Sequence, residues 1–309
     1  MAPFKEHVPL APYSHYKIGG PARYFFTARN ERALARALAE ARRRKLAIFI
    51  IGGATNLLIP DRGLDGLVVR CAVKGLRREG NRIVSGAGVA MADLLRFAAK
   101  EKLSGLEWAG GLPGTLGGAI RGNAGCFGGE TKDAIASVKS IDLKTLRITT
   151  RRRAACRFGY RSSIYKEHEG REMVLSATFA LKKGDARTIR REGHARIAWR
   201  KQRHPLEYPN IGSIFKNIPL GKIPKRWMAD IGQNPKMDPF PVVPAARIIS
   251  RLKLGGTRRG GAMISTKHTN FIVNVRRARA RDVIHLIRLV QRKTKKKYGI
   301  AMEPEVQIL

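Results

Sequence analysis

A chain of 309 residues, 43% of them apolar, can form two or three small cores and has the composition of a globular protein. Its longest strongly apolar stretch, residues 46–54, contains two glycines and falls well short of the about 20 residues needed to cross a bilayer. The opening MAPFKEHVPLAPYSHYK lacks the apolar segment of a secretory signal, so a cytoplasmic protein without a membrane span is expected.

The charge is the unusual quantity: 61 Lys and Arg face 23 Asp and Glu, a formal net charge of +38. The cations are dispersed, in RRRK at 42–45, RRR at 151–153 and KTKKK at 293–297, with no zinc-finger spacing or RNP-like aromatic motif beside them. A diphosphate ligand engages only about three to six cations, so most of the excess belongs to the surface. A broadly basic surface is therefore favoured over a nucleic-acid function, which stays as an alternative. The three cysteines, Cys71, Cys126 and Cys156, include no CxxC pair; no metal site or disulfide framework is expected.

In chain order, residues 30–46 place Leu34, Leu38, Ala41 and Leu46 near helical spacing, and LAIFII at 46–51 reads as a buried strand. A glycine loop, IGGATNLLIPDRGLDG, leads into the short strand LVVR; IVSGAGV leads into the helix MADLLRFAAKEKL, which stops at Ser104-Gly105. EMVLSATFALKK at 172–183 alternates as a strand closing the first region, and GDARTIRREGHARIAWRKQ reads as a charged helix at a hinge. The domain boundary is expected near residue 184, giving a first domain of 1–183 and a second of 184–309. Residues 219–244 are proline-rich and read as a loop insertion. AARIISRLKL then reads as a helix, AMISTKHTNFIVNV as strand material, and ARDVIHLIRLVQRKTKKKYG as an amphipathic helix with Val283, Ile287 and Val290 on one face.

Three glycine loops carry the chemistry: IGGPA at 18–22, IGGATN at 51–56 and LPGTLGGAIRGNAGCFGGE at 112–130. Glycine lets a backbone approach a diphosphate and present N–H donors to it. None fits GxGxxG between strand and helix, or GxxxxGK[ST], so neither the dinucleotide fingerprint nor the P-loop is supported. A single such loop reads as a turn. Three together, with Thr55 and Asn56 able to bond a phosphate, point to a large nucleotide cofactor.

The ordered set YKIGGPA (16–22), IGGATNLLI (51–59), GLEWAGGLPGTLGGAIRGNAGCFGGE (105–130), FGYRSSIYK (158–166), PLEYPNIGSIFKN (205–217), STKHTNFIVN (265–274) and EPEV (303–306) resembles the UDP-N-acetylenolpyruvoylglucosamine reductase family over almost the whole chain. The resemblance implies an α+β fold: an FAD-binding module of two subdomains, of the vanillyl-alcohol oxidase (PCMH) type, then a small α+β substrate-binding domain with an insertion at about 218–243. It implies noncovalent FAD, NADPH as cosubstrate, and a ping-pong reduction of the enolpyruvyl UDP-sugar to UDP-N-acetylmuramate for peptidoglycan. A monomer is expected.

By the same resemblance, Ser213 is the proton donor, while Arg161 and Glu305 stabilise the charge that develops on the substrate carboxylate, the three converging across the domain boundary. Glu303 competes for the Glu305 role. Lys216 and Asn217, close in sequence, are expected to polarise the Ser213 hydroxyl. The cofactor set is Gly52, Gly53, Ala54, Thr55, Asn56, Leu57, Pro113, Gly114, Thr115, Gly117, Gly118, Asn123 and Gly125. The substrate set is Tyr160, Arg200, Lys216 and Asn217, with Lys201 beside Arg200. His268 and Asn270 receive no chemical role, and Cys126 is read as packing.

The sequence departs from the family at Ser250, Arg251, Phe127 and Gln307, and in the length of the insertion, which is expected to cover the site in part. The chain matches the family branch that lacks a tyrosine-bearing loop. A flavoprotein oxidase of the same fold is the second reading, since it would share the glycine loops but has no evident need for Ser213, Arg161 and Glu305.

Overall fold

The computed structural model describes residues 4–237 and 240–309, so Asp238 and Pro239 of the expected insertion lie outside the described residues. The chain divides into two compact units that interleave in sequence. The first comprises the chain up to Val8, Ala22–Gly53 and Asp65–Arg200; the second comprises Pro9–Pro21, Ala54–Leu64 and Lys201–Leu309.

In the first unit, helix Glu31–Arg43 starts where Asn30 accepts a hydrogen bond from the Ala33 N–H at 2.8 Å, satisfying one of the orphan donors of a helix start. Its buried residues Leu34, Ala37, Leu38 and Ala41 recur at the spacing of one helical face. A four-stranded sheet runs in the order Lys5–Pro9, Pro21–Ala28, Leu64–Cys71, Ile48–Ile51. Ile48–Ile51 pairs in parallel with Leu67–Arg70 at the edge of this sheet, and only Ile51 of the four is buried, so the strand expected to be buried is partly exposed.

A second, five-stranded antiparallel sheet runs in the order Ile148–Arg152, Ile135–Asp142, Glu172–Ala180, Arg82–Gly86, Leu76–Glu79. Its central strand, Glu172–Ala180, buries Met173, Leu175, Ala177 and Phe179 on one face, and Val174 is buried as well. Leu94 and Ala98 of helix Met91–Lys100 join Phe179 and Ile83 in one core.

The expected boundary at 184 needs correction. The hinge helix runs Ala186–Arg203 and belongs to the first unit through Arg200. Ile189 is buried, and the bare faces of Gly110 and Gly111 lie against Arg196 and Arg200, anchoring most of this helix to the glycine-rich segment. Two further segments, 9–21 and 54–64, belong with the C-terminal half, because their side chains complete its core and their strand finds its partner there. Tyr16, Ile18 and Leu58 are buried among residues 211–306. The Tyr16 hydroxyl donates to the Ile272 carbonyl at 2.7 Å, and Leu57–Leu58 pairs in parallel with Gln307–Ile308.

The second unit packs helices Ala245–Arg251 and Ala280–Tyr298 with the sheet Arg258–Arg259, Ala262–Ile264, Ile272–Asn274. The long helix ends at Gly299, whose φ of 73° is a left-handed conformation that glycine adopts without strain. The expected irregular insertion is more ordered than its prolines imply. Its ends pair as Ile218–Pro219 with Val242–Val243, it contains one π-helical turn at Met228–Gly232, and Ile223 and Ile231 are buried. The Arg247 guanidinium donates to the carbonyls of Ile231, Gln233 and Asn234, clasping the segment. The departure at Arg251 matches this segment too, since its Nε lies 3.4 Å from Asp230. Nothing in the structure explains Ser250.

Burial holds the His268 imidazole below the ordinary histidine range. Its neighbours include the His204 and Phe271 rings, at centroid distances of 5.4 and 4.8 Å. The native state therefore favours neutral His268, whereas the unfolded chain takes up a proton near pH 6.5. This contribution to stability is present above that pH and is lost as the pH falls below it. The urea midpoint should fall between pH 7.5 and 5.5, and His268→Gln should flatten part of that fall; an unchanged slope would remove the imidazole from the account.

Candidate functional site

In the first unit two glycine loops face each other. A Cβ at Gly53 would lie 2.9 Å from the Gly114 Cα, and one at Gly52 would strike the Thr115 hydroxyl, so both positions need glycine. The backbone N–H groups of Gly53 and Gly114 donate to no acceptor among the described residues. Thr115 precedes helix Leu116–Arg121 but its side chain makes no capping bond, leaving its hydroxyl available too. Gly118 presents an open face near this hydroxyl, at 4.0 Å, while Gly117 is packed on Ala87 at 3.2 Å and serves the close approach of helix to backbone. Pro113 precedes Gly114, whose φ is 100°.

Donors of this kind fit a diphosphate. A second observation agrees: the Trp108 indole N–H, in the same glycine-rich region, is a buried donor without a hydrogen-bond partner among the described residues. Native proteins seldom leave such atoms unsatisfied unless a ligand or water completes them. The residues present fit FAD.

Other members of the expected set have structural work. Asn123 is fully buried; its Nδ2 donates to the Gly159 carbonyl at 2.9 Å and its Oδ1 accepts from the Lys132 N–H at 3.1 Å. Its side chain thus pins the glycine-rich segment to the FGYR turn. Arg200, expected at substrate, donates through Nε to the Gly110 carbonyl at 3.0 Å and through Nη2 to Cys126 Sγ at 2.9 Å. It also stacks over Phe127, at 5.3 Å. Arg200, only 9% exposed and engaged on three sides, positions the Gly125–Glu130 hairpin.

Arg161 sits in a tight turn closed by reciprocal hydrogen bonds between Gly159 and Ser162, at 3.0 and 3.2 Å. Its φ is 54°, a left-handed conformation that costs a non-glycine residue about 1–3 kcal/mol. The guanidinium donates to the Gly125 carbonyl at 2.9 Å and lies 5.3 Å from the Tyr160 ring centre, while Lys166 Nζ holds the Arg161 carbonyl at 2.8 Å. Glycine would relieve the backbone, so retention of arginine here singles out its side chain.

In the second unit, Ser213 follows Gly212, whose φ is 81°. The next residues run antiparallel to the C-terminal motif: Phe215 bridges Pro304, the Glu305 N–H donates to the Ile214 carbonyl at 2.8 Å, and the Lys216 N–H to the Glu303 carbonyl at 3.0 Å. This register sets Glu305 opposite Ile214, one residue from Ser213. From the other side, Asn56 Nδ2 donates to the Glu305 carbonyl at 3.2 Å, and the Gln307 N–H to the Asn56 carbonyl at 3.0 Å. Ala54, with φ 46°, Thr55, Asn56 and Leu57 therefore belong to the same unit as Ser213 and Glu305, apart from Gly52 and Gly53.

Two expectations change here. Lys216 forms an ion pair with Glu303, and Asn217 Oδ1 accepts from the Ala245 N–H at 3.1 Å, so neither hydrogen-bonds the Ser213 hydroxyl. Extended backbone alternates side chains, which turns Lys216 away from Ser213 and Phe215. The pairing also separates the two acids of EPEV, since Glu303 is taken by Lys216. Asn270 organises the whole arrangement without having been assigned any chemistry. Its Oδ1 accepts from the Phe215 N–H at 3.0 Å, its Nδ2 donates to the Phe215 carbonyl at 2.9 Å, and its own carbonyl takes the Ile214 N–H at 2.8 Å. A polar residue beside the apolar run FIV is the sequence signal that could have marked it.

A module that offers unspent donors to a diphosphate, joined to a second α+β unit, defines the class as an FAD-binding oxidoreductase. Residues 22–148 match the FAD binding domain family, and residues 204–309 match the family described as UDP-N-acetylenolpyruvoylglucosamine reductase, C-terminal domain. The chain is 37% identical over 306 residues to the UDP-N-acetylenolpyruvoylglucosamine reductase of Lactobacillus delbrueckii subsp. bulgaricus, covering 99% of this chain and 95% of the relative. It is 34% identical over 299 residues to that of Solibacter usitatus, covering 97% and 94%. The crystal structure of the reductase from Thermus caldophilus superimposes with a TM-score of 0.79 at 30% identity over 99% of both chains. The chain belongs to the UDP-N-acetylenolpyruvoylglucosamine reductase family.

Gly53→Ala should leave the protein folded but force the backbone at residue 114 to shift. The ratio of flavin to protein absorbance after gel filtration should drop about tenfold, the loss of roughly one phosphate-binding hydrogen bond to a charged group. Undiminished flavin would exclude the loop from cofactor binding.

Proposed function

We propose that the chain catalyses the NADPH-dependent reduction of UDP-N-acetylenolpyruvoylglucosamine to UDP-N-acetylmuramate, with Ser213 as proton donor and Arg161 and Glu305 stabilising the developing charge. The observation that supports this reading is the backbone pairing of 214–216 with 303–305, because it holds the segment that carries Ser213 and the segment that carries Glu305 in one hydrogen-bonded register. FAD, when bound, supplies the hydride that NADPH has delivered to it.

The residues of this chain have separable tasks. Addition of hydride to the carbon beta to the carboxylate leaves negative charge on the alpha carbon and the carboxylate, which a preorganised cation stabilises without reorganising. Arg161 is permanently charged and forked, and its backbone and Nη2 are already anchored, so little freedom remains to be lost on binding. Quenching the alpha carbon needs one proton from a neutral donor, and a hydroxyl held on a fixed backbone can deliver it. The Ser213 hydroxyl hydrogen-bonds no group among the described residues, which leaves its proton directed by substrate. Within the cofactor set, Gly52, Gly53, Gly114, Thr115 and Gly118 are proposed to hold the FAD diphosphate. Asn123, Gly117 and Arg200 support that loop from behind.

Ser213→Ala should leave anaerobic flavin reduction by NADPH within twofold of the parent, yet slow reoxidation by the enolpyruvyl sugar nucleotide about 10²–10⁴-fold, the range for loss of a positioned proton donor. Equal damage to both half-reactions, followed by stopped-flow absorbance, would contradict the role. Arg161→Gly separates strain from function: it should stabilise the fold by about 1 kcal/mol in urea titrations while slowing reoxidation. A variant more stable and fully active would show that the guanidinium is dispensable.

A further inference from the structure

Although the cations are dispersed in sequence, the fold gathers a row of them. Between residues 276 and 297 there are ten Lys and Arg and one Asp. On helix Ala280–Tyr298 the apolar face, Val283, Leu286, Ile287 and Val290, is buried in the core of the second unit. On the opposite face Arg281, His285, Arg288, Arg292 and Lys295 are all exposed and follow at intervals of four, three, four and three residues. That spacing makes a straight ridge about 21 Å long.

The ridge has no acidic partner. Among the described residues, none of Arg281, Arg288, Arg292 and Lys295 forms an ion pair. Two carboxylates at the start of the helix are spent on backbone. Asp61 accepts from the N–H groups of Ala280 and Arg281 at 2.8 and 3.2 Å, and Asp282 accepts from the Arg279 N–H at 2.9 Å. Exposed Arg276, Arg277 and Arg279 extend the positive surface beyond the helix start. Like charges along one helix face destabilise it by a few tenths of a kcal/mol per pair, so the ridge is maintained against a local cost.

We propose that this ridge docks the phosphate backbone of double-stranded DNA without reading its sequence. Charge complementarity supplies the affinity, since a duplex carries one phosphate per about 3.4 Å along each strand and a 21 Å ridge spans about six of them. The occupant's form follows from what the surface lacks. Of the large apolar side chains that are exposed, none lies between residues 255 and 300. Among the described residues of this surface no Phe, Tyr or Trp ring is exposed and the one exposed ring is the small imidazole of His285, which disfavours a single strand that needs a succession of stacking platforms. Nor is there an apolar side chain to insert into a bilayer, the helix having already buried its apolar face in the core. The arginine forks match phosphate oxygens in pairs.

The test uses the full-length, FAD-loaded protein and fluorescence anisotropy of a labelled duplex of about 20 base pairs, from about 50 to 200 mM salt. The triple variant Arg288→Gln, Arg292→Gln, Lys295→Gln should weaken binding about tenfold or more. It should also lower the slope of log K against log salt by about 2.7, three phosphates at about 0.9 each. A control triple removing equal charge from exposed positions of the first unit, Arg152→Gln, Arg153→Gln, Lys183→Gln, should change affinity by less than about threefold. Reductase turnover should match the parent in both triples, which shows that each is folded. Equal loss in the two triples, an unchanged salt slope, no binding by the parent, or ridge-dependent binding to phosphatidylserine vesicles in place of the duplex would each overturn the proposal.

Discussion

The second unit depends on one buried carboxamide. Asn270 closes two hydrogen bonds with the backbone of Phe215 and a third, through its own carbonyl, with Ile214. These bonds fix the strip that carries Ser213, and the strip in turn fixes Glu305 through a backbone ladder. Each group left unsatisfied in that interior would cost about 1–3 kcal/mol, so the carboxamide is worth several times an ordinary surface contact. The site is thus built from main chain first, with reactive side chains set on a frame whose register admits little play.

The first unit works by a different constraint, close approach. Gly52, Gly53 and Gly114 bring two loops within van der Waals contact and leave backbone donors unspent. Asn123 and Arg200 brace these loops from behind. Arg161 stands out because the chain tolerates a strained backbone at a turn that glycine would satisfy.

The local features were legible in the sequence because their causes are local. Asn30 announces a helix through its cap, and residues 172–183 announce a strand through alternation. The glycine loops announced a cofactor, and the ordered motifs announced the family. Partners distant in sequence were not legible. Nothing in IGGATN says that its first three residues and its last three fall in different units, since that depends on Leu57 pairing with Gln307, 250 positions away. Lys216 and Asn217 misled for the same reason: proximity in sequence counts for little where an extended backbone turns successive side chains to opposite sides.

The interleaving of segments bears on how the protein comes off the ribosome. Residues 9–21 and 54–64 emerge early, yet the core they complete ends at Val306 and the strand that pairs with Leu57 ends at Ile308. The first unit has all its residues once Arg200 is made, while these two segments must wait, with Tyr16, Ile18 and Leu58 uncovered, until residues 306–308 are made. A chain cut at residue 200 would therefore not release a clean domain; it would carry two apolar strips with nothing to cover them. Long-range pairing of this kind closes late and slowly, and Gln307–Ile308 act as the fastener of the second unit.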